Sequence, residues 1–521
     1  MRAGSTRAAP EPGLAARAAR GAAWSSVSSL VLRLGGVVVG IVLARILAPE
    51  QFGVFAIAIT VQGVLMTLAD LGLSADIIRS PHPERIAPTV ATLGLVSGAA
   101  LAVATAATSA PTAALLGSPE AGPVIAVLSV TLLLAGATVV PYGMLQRRFQ
   151  QRELFVVAVC DLIVSTVVTL GLVAAGFGAL ALAIGRVAAQ ATGSVLLFAF
   201  ARVRPRFGLD HSQLRAVLAF GVPIAAANLL SWALLNADNV VLARTVGVVG
   251  LGYYVLAFNV SNWPMSALSQ VVRSIALPYF SRTGEPGTGE ARSGQAGGAL
   301  AALTGVAWAA ALPAGALLAV LSAALVEVVY GEKWLPAAPV LAALGVYGAL
   351  RVVFDLFASY LYAEGRSAPV LWIQVASLIA LVAGMLVATP LFGIVGAAWV
   401  HVAVALALIL PGYLLAVRRA GARLRPLLRA CLRPTIAVLP AAAVGWGLDA
   451  LLASPLAALL AGGAGAAATY LLVVGPWLLA RVRSLRSGAA PRPTDAPMAG
   501  AAREPDAAPE EVSTARGGDS L

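Results

Sequence analysis

The amino-acid sequence consists of long apolar runs separated by short connections that are rich in arginine. Each run can cross the roughly 30 Å hydrocarbon core of a bilayer, which takes about 20 helical residues. Of the 521 residues, 60% are hydrophobic and only 11% are charged. A water-soluble domain carries about 25% charged residues, so this chain has too few charged residues to form the surface of a water-soluble protein. The pattern therefore predicts an all-α integral membrane protein.

Counting the apolar runs predicts about fourteen transmembrane helices. The runs lie near 21–47, 52–77, 88–110, 121–145, 154–175, 177–201, 215–243, 249–275, 299–324, 335–362, 367–389, 392–417, 431–452 and 455–480. A polar segment, 1–20, precedes them and is expected to be a cytosolic tail. The segment 487–521 is rich in Ala, Pro, Gly and acidic residues, so we expect a disordered cytosolic tail there.

The basic residues predict the orientation in the membrane. With a cytosolic amino terminus and fourteen spans, 29 of the 35 basic residues fall in inside segments. Outside connections hold only Arg45, Arg244 and Lys333, and three arginines lie within spans. The positive-inside rule then places both termini in the cytosol, with the protein in the cytoplasmic membrane. Arginines scattered in this way form no continuous patch for nucleic acid.

A weak internal repeat divides the chain in two. The pattern that runs from Ile41 to Arg45, followed by Gly53, recurs 199 residues later from Val240 to Arg244, followed by Gly252. Repeats of the same orientation are related by an axis along the membrane normal. We therefore expect two pseudo-symmetric six-helix lobes, 21–201 and 215–417, around a central cavity, and an appended helix pair at 431–480.

The first copy of the repeat belongs to a longer familiar stretch. Residues 43–55 read LARILAPEQFGVF, and residues 68–73 read LADLGL. This stretch resembles the opening of the Wzx and WzxC-like polysaccharide flippases of the multidrug/oligosaccharidyl-lipid/polysaccharide exporter superfamily. The resemblance implies that the protein moves a polyprenyl-diphosphate-linked oligosaccharide across the membrane, such as an exopolysaccharide, O-antigen or teichuronic-type unit. It implies a lipid-linked substrate, membrane lipid and other polysaccharide-assembly proteins as partners, and no cofactor.

Polar residues inside the spans are the candidate substrate-binding residues. A charge at the bilayer centre costs about 2.5–3.5 kcal/mol on insertion scales, so Arg33, Arg186 and Arg351 each require a reason. Guanidinium groups suit a diphosphate because they pair with its oxygens bidentately. The other candidates for the cavity are Asp355, Asn228, Asn236, Asp238, Gln62 and Asp70. A structural explanation stays open, since Arg351 and Asp355 can neutralise each other, Asp70 can cap a helix, and Arg273 can be a topology charge.

Other functional classes fit the sequence less well. The only lysine, Lys333, stands outside any P-loop pattern, so the chain is not itself an ATP-driven pump. A membrane glycosyltransferase or polymerase would need converging acid and base groups on a large outer loop, which the short connections do not offer. We expect no enzyme activity and no metal site. A multidrug exporter on the same scaffold is the main alternative, although its cationic substrates would favour an acidic or apolar cavity.

Overall fold

The computed structural model describes residues 31–204, 206–282 and 289–486. Nearly all of these residues are helical, and no strand occurs among them. The α-helices are α1 (31–46), α2 (Pro49–Asp70), α3 (Leu73–Arg79), α4 (Pro83–Ala107), α5 (Ser109–Leu115), α6 (Ala121–Arg147), α7 (Gln151–Ala174), α8 (Ala179–Ala201), α9 (His211–Thr245), α10 (Gly247–Arg282), α11 (Gly289–Val320), α12 (Ser322–Tyr330), α13 (Ala338–Ala363), α14 (Ser367–Val404), α15 (Leu410–Arg419), α16 (Leu424–Leu451), α17 (Pro455–Ala457) and α18 (Gly463–Arg486). The two tails expected at 1–20 and 487–521 lie outside the described residues.

The all-α membrane fold is confirmed, and the helices are compatible with fourteen spans. By length and composition, eleven helical segments of the described residues could cross a membrane. One of them, Ser367–Arg419, is 53 residues long and contains a kink at Gly393 (φ 60°, ψ −147°). That glycine lies next to the predicted boundary between the runs 367–389 and 392–417. The eleven segments do not include α1, of which only 31–46 is described, or the 36-residue α10.

Glycines bring α4 and α6 into backbone contact within the N-terminal half of the chain. A Cβ on Gly136 would lie 2.0 Å from the carbonyl oxygen of Gly94 and 3.2 Å from the Cα of Gly98. Small residues of this kind allow close helix packing in lipid, where apolar burial gives little driving force between helices. The crossing fixes α6, which also packs against α2 and α8, in the middle of this half.

Replacing Gly136 with valine is expected to lower the thermal unfolding temperature of the purified protein. The branched side chain has no space at this crossing, and overpacking of a tight contact costs about 1–3 kcal/mol. Scanning fluorimetry in detergent measures the effect. The matched control is Gly171→Val on α7, where a Cβ meets no atom within 4 Å. Equal unfolding temperatures for the two variants would contradict the packing argument.

The C-terminal half is built around α13, which packs against α10 and α11. Its core includes the fully buried side chains of Phe357 and Tyr360. Helices α16 and α18 attach to the outer side of α11. Trp308 Nε1 donates to Thr435 Oγ1 at 2.9 Å, and the Tyr470 hydroxyl donates to the carbonyl of Ala309 at 2.9 Å. The last two spans thus contact the rest of the bundle mainly through α11, and α17 also contacts α12; their role as an appended pair stays a prediction.

Candidate functional site

A polar stripe runs along one face of α10. Asn262, Ser266 and Arg273 are four and seven residues apart, so they lie one above another on the same side of the helix. At 1.5 Å per residue the stripe is about 16 Å long. Since α10 contacts the N-terminal half through α2 and packs on α13 in its own half, the stripe lies where helices of both halves can reach it.

Each residue of the stripe holds a charged side chain from another helix. Arg33 Nη1 on α1 donates to Ser266 Oγ at 2.9 Å. Arg351 Nη1 on α13 donates to Asn262 Oδ1 at 3.0 Å. Arg273 itself forms an ion pair with Asp355 of α13. We call Arg33, Arg273, Arg351 and Asp355, together with Asn262 and Ser266, the arginine cluster.

The arginine cluster carries an excess of positive charge. The cluster contains three guanidinium groups and one carboxylate, which leaves a formal charge of +2. The side chain of Arg273 is 61% exposed and Arg33 is exposed as well, whereas Asp355 is only 14% exposed. Exposed guanidinium groups with donors to spare favour a doubly negative ligand such as a diphosphate. Within a membrane, unpaired guanidinium groups are stable only in contact with water or with an anionic ligand.

The structure brings three of the predicted residues together: Arg33, Arg351 and Asp355. Arg351 and Asp355 do not form the ion pair with each other that the structural explanation supposed. Arg351 bonds to Asn262, and the ion-pair partner of Asp355 is Arg273. Arg273, which the sequence allows as a simple topology charge, therefore belongs to the cluster. The second carboxylate oxygen of Asp355 is buried without a hydrogen-bond partner among the described residues.

Two further candidates, Arg186 and Asp70, lie within the N-terminal half. A cavity of 610 Å³ between α2, α6, α7 and α8 is lined by Asp70, Asp161 and Gln190. Arg186 lies close enough to Asp161 to attract it electrostatically. Asp70 accepts a hydrogen bond from Ser74 Oγ at 3.2 Å. This group is separate from the arginine cluster, and it has two carboxylates to one guanidinium.

The remaining candidates occupy different surroundings. Gln62 is buried and donates to Thr131 Oγ1 between α2 and α6. On α9, Asn228 is exposed and Asn236 donates to the carbonyl of Trp232 in its own helix at 3.0 Å. Asp238 is buried, with 4% of its surface exposed. These hydrogen bonds lie outside the arginine cluster, and the binding roles of the four residues stay predictions.

Asp238 is expected to stabilise the fold. Its Oδ2 accepts a hydrogen bond from the buried Tyr254 hydroxyl at 2.9 Å and lies 3.9 Å from His401 Nε2. Asp238→Ala leaves the tyrosine hydroxyl without its partner, a loss of about 1–3 kcal/mol. We expect a lower unfolding temperature, measured in detergent, and partial rescue by Asp238→Asn. An Asp238→Ala protein of unchanged stability that binds substrate less well would instead support the cavity role.

The internal repeat closes one end of the bundle, here called the gate end, where α1 ends and α10 begins. Arg45 Nε donates to the carbonyl of Val329 at 2.8 Å, in the last turn of α12. The repeat-related Arg244 Nε donates to the carbonyl of Leu115 at 2.6 Å, at the end of α5. Each arginine thus caps a short helix of the opposite half, where the helix dipole favours a cation.

The repeated glycines complete the gate end. A Cβ on Gly53 would lie 1.8 Å from the carbonyl oxygen of Val248, and one on Gly252 would lie 2.0 Å from that of Pro49. The indole of Trp334 is fully buried beside them and donates to the carbonyl of Ala44 at 2.8 Å. The two copies of the repeat therefore meet each other where the halves are in backbone contact.

The halves also touch at the opposite end of the bundle. The guanidinium of Arg79 on α3 lies 3.5 Å from the centre of the Phe220 ring on α9. Next to it, a Cβ on Gly221 would lie 2.0 Å from the carbonyl oxygen of Leu71. Contacts between the N-terminal and C-terminal halves are therefore present at both ends of the bundle.

Sequence reasoning missed three residues of these sites. Asn262 and Ser266 are neutral and common in membrane helices, so only their spacing from Arg273 could have pointed to a shared face. Asp161 is a carboxylate well inside a predicted span and could have been found by the same test that selected Arg33. Among the described residues no group of three or more His, Cys, Asp and Glu could hold a metal ion.

Comparison of the sequence with known proteins yields relatives that take part in polysaccharide biosynthesis. The lipopolysaccharide biosynthesis protein WzxC of Escherichia coli strain K12 is 30% identical over 355 residues, which are 66% of this chain and 70% of WzxC. The succinoglycan biosynthesis transport protein ExoT of Rhizobium meliloti strain 1021 is 27% identical over 337 residues, 64% of this chain and 66% of ExoT.

Comparison of the structure with solved structures supports the fold. The lipid II flippase MurJ in its inward closed conformation has a TM-score of 0.71 at 13% identity, covering 88% of this chain and 99% of MurJ. An inward-facing multidrug resistance transporter of the MATE family has a TM-score of 0.60 at 15% identity, covering 77% of this chain and 98% of the transporter. The same fold therefore serves a flippase and a drug transporter, and does not by itself separate the two functions.

The family assignment rests on the sequence. The profile of the family described as polysaccharide biosynthesis protein matches residues 42–339. That range begins within the first copy of the repeat and includes both Arg45 and Arg244, and WzxC adds a relative aligned over more than two-thirds of its length. The chain is thus a multi-pass membrane protein that belongs to the polysaccharide biosynthesis protein family.

Proposed function

We propose that this protein is a flippase that moves a polyprenyl-diphosphate-linked oligosaccharide across the cytoplasmic membrane by alternating access. The observation that carries the proposal is the arginine cluster, in which α1, α10 and α13 together place a net charge of +2 along one stripe of α10. The family and the transport function named for ExoT support a polysaccharide substrate over a drug. They also support transport over enzyme chemistry.

The proposed mechanism assigns a role to each group of residues. Arg33, Arg273 and Arg351 bind the diphosphate, while Asn262 and Ser266 hold the guanidinium groups and offer hydrogen bonds to it. The polyprenyl chain stays in lipid, which spares the cost of moving it through a polar cavity. The gate end faces outward, in keeping with the positive-inside count, and both termini are cytosolic. Lobes 21–201 and 215–417 rock against each other to expose the cluster to one leaflet and then to the other.

The proposal is tested by transport in proteoliposomes. The purified protein is reconstituted with a fluorescent polyprenyl-diphosphate oligosaccharide, and the fraction reaching the opposite leaflet is measured with a membrane-impermeant quencher. We expect flipping by the wild type above that of protein-free vesicles. An organic fluorescent cation serves as the second substrate. Transport of the cation without flipping of any lipid-linked glycan would replace this proposal with a drug exporter.

A further inference from the structure

A second basic site lies in the N-terminal half, apart from the arginine cluster. A cavity of 390 Å³ opens between α4, α6, α8 and the connection that follows α8. Four arginines line it, namely Arg148, Arg202, Arg204 and Arg206. Its other walls are mostly apolar and include Val140, Pro141, Met144, Phe198 and Phe207. The cavity thus combines a concentrated positive charge with an apolar wall.

The connection that carries Arg202, Arg204 and Arg206 is held in place by hydrogen bonds to α4. The amide nitrogen of Gly208 donates to Thr92 Oγ1 at 2.9 Å, and that of Asp210 donates to Thr89 Oγ1 at 3.2 Å. Arg148 Nη1 in turn donates to the carbonyl of Ala201 at 3.0 Å, at the end of α8. These hydrogen bonds fix the positions of the residues that form the wall of the cavity.

Arg202 occupies a backbone conformation that favours glycine. It follows the last residue of α8 with φ 51° and ψ 34°, in the left-handed region. Glycine is the usual residue at such a helix end because it avoids the clash of Cβ with the backbone. From this conformation Arg202 lines the cavity.

The four arginines of the cavity outnumber its one acidic lining residue, Glu84. Within 31–204, 206–282 and 289–486, none of the four arginines forms an ion pair, although Glu84 lines the same cavity. Guanidinium groups with free donors beside an apolar wall suit an amphiphile whose head is a phosphate. The site also lies at the arginine-rich end of the bundle, opposite the gate end. Basic pockets of this kind between membrane helices bind anionic lipid headgroups.

We propose that this cavity binds the phosphate of an anionic phospholipid from the leaflet at that end of the bundle. The glycerol and the first part of the acyl chains pack against Phe198 and Phe207, and the phosphate meets Arg202, Arg204 and Arg206. Such a lipid ties the connection between the halves to α4 and α8. The proposal concerns a bound membrane lipid and holds whichever substrate the arginine cluster takes.

Native mass spectrometry of the full-length protein in detergent tests the proposal. Short-chain phosphatidylglycerol is titrated into wild type and into the triple variant Arg202→Gly/Arg204→Gln/Arg206→Gln. We expect the variant to bind at least about tenfold more weakly, since it loses three positive charges that attract the anionic lipid. Glycine at position 202 suits the left-handed backbone, so the variant is not expected to unfold at a lower temperature. Phosphatidylcholine, a zwitterionic phospholipid with no net charge, is titrated in parallel and is expected to bind wild type more weakly than phosphatidylglycerol does.

The matched control replaces three arginines at the same end of the bundle, Arg423→Gln/Arg425→Gln/Arg429→Gln, which removes the same charge outside the cavity. It is expected to bind phosphatidylglycerol like the wild type. Equal weakening in both triple variants would show a general surface charge and overturn the proposal. Full competition by millimolar inorganic phosphate, with no preference for the lipid, would overturn it in favour of a soluble anion.

Discussion

Replacing Arg273 with alanine is expected to slow the flipping of a polyprenyl-diphosphate oligosaccharide by at least about tenfold, since a hydrogen bond to a charged group contributes about 1.5–3 kcal/mol. The change also strips Asp355 of its ion-pair partner, and an unpaired carboxylate then repels the diphosphate. Initial rates of flipping in proteoliposomes measure the effect. Arg273→Lys should fall between wild type and alanine, because a lysine keeps the charge but loses the bidentate fork.

The double variant Arg273→Ala/Asp355→Asn separates the two parts of this effect. Removing both charges leaves Arg33 and Arg351 at the stripe without a free carboxylate, so the double variant should flip faster than Arg273→Ala alone. Arg425→Ala, an exposed arginine outside the cluster, is the control and should flip at the wild-type rate. A double variant as slow as the single one would mean that Asp355 has no influence on the anion.

Removing both arginines of the gate end is expected to shift the protein towards the state open at that end. Arg45 and Arg244 are the repeat-related pair whose guanidinium groups bond to carbonyls of the opposite half. At about 1.5 kcal/mol or more for each, the alanine pair should change the ratio of open to closed states by about a hundredfold. The effect should be smaller in either single variant, since each leaves one contact between the halves.

Labelling of a gate-end cysteine measures this shift. Phe52→Cys is introduced in a Cys160→Ala/Cys431→Ala background, because the Phe52 ring packs edge-on against buried Trp334 with centroids 5.2 Å apart. An impermeant maleimide should react faster after the gate arginines are removed. Arg366→Ala is the matched control, since Arg366 bonds to the carbonyl of Arg419 within one half, at 2.8 Å. An unchanged labelling rate in the Arg45→Ala/Arg244→Ala variant would show that these two arginines do not hold the gate end closed.

Local sequence patterns predict the helices of this protein better than its site. Hydropathy alone locates the spans, because a bilayer requires apolar helices of a fixed length. The short helices α5 and α12 escape it, since they lie in what reads as outer connections. The repeat around Arg45 and Arg244 is visible in the sequence. That its two copies contact each other at one end of the bundle depends on how the two halves pack.

The candidate site is visible in the sequence only in part. Arg33 and Arg351 stand out because a charge deep in a span is costly. Arg273 does not stand out, since an arginine near a helix end is also explained by topology. Its pairing with Asp355 joins residues 82 positions apart, and such a contact follows from the packing of α10 on α13. Charge and depth therefore select candidates, and only the fold shows which of them share a site.

Binding of a soluble prenyl diphosphate tests most directly the central claim that the arginine cluster recognises a diphosphate. Calorimetry with farnesyl diphosphate compares wild type with Arg33→Ala/Arg351→Ala, with farnesyl monophosphate as the second ligand. The account predicts tighter binding of the diphosphate than of the monophosphate by the wild type, and at least about tenfold weaker diphosphate binding by a double variant that unfolds at the wild-type temperature. Equal affinity of the two proteins for the diphosphate would contradict it.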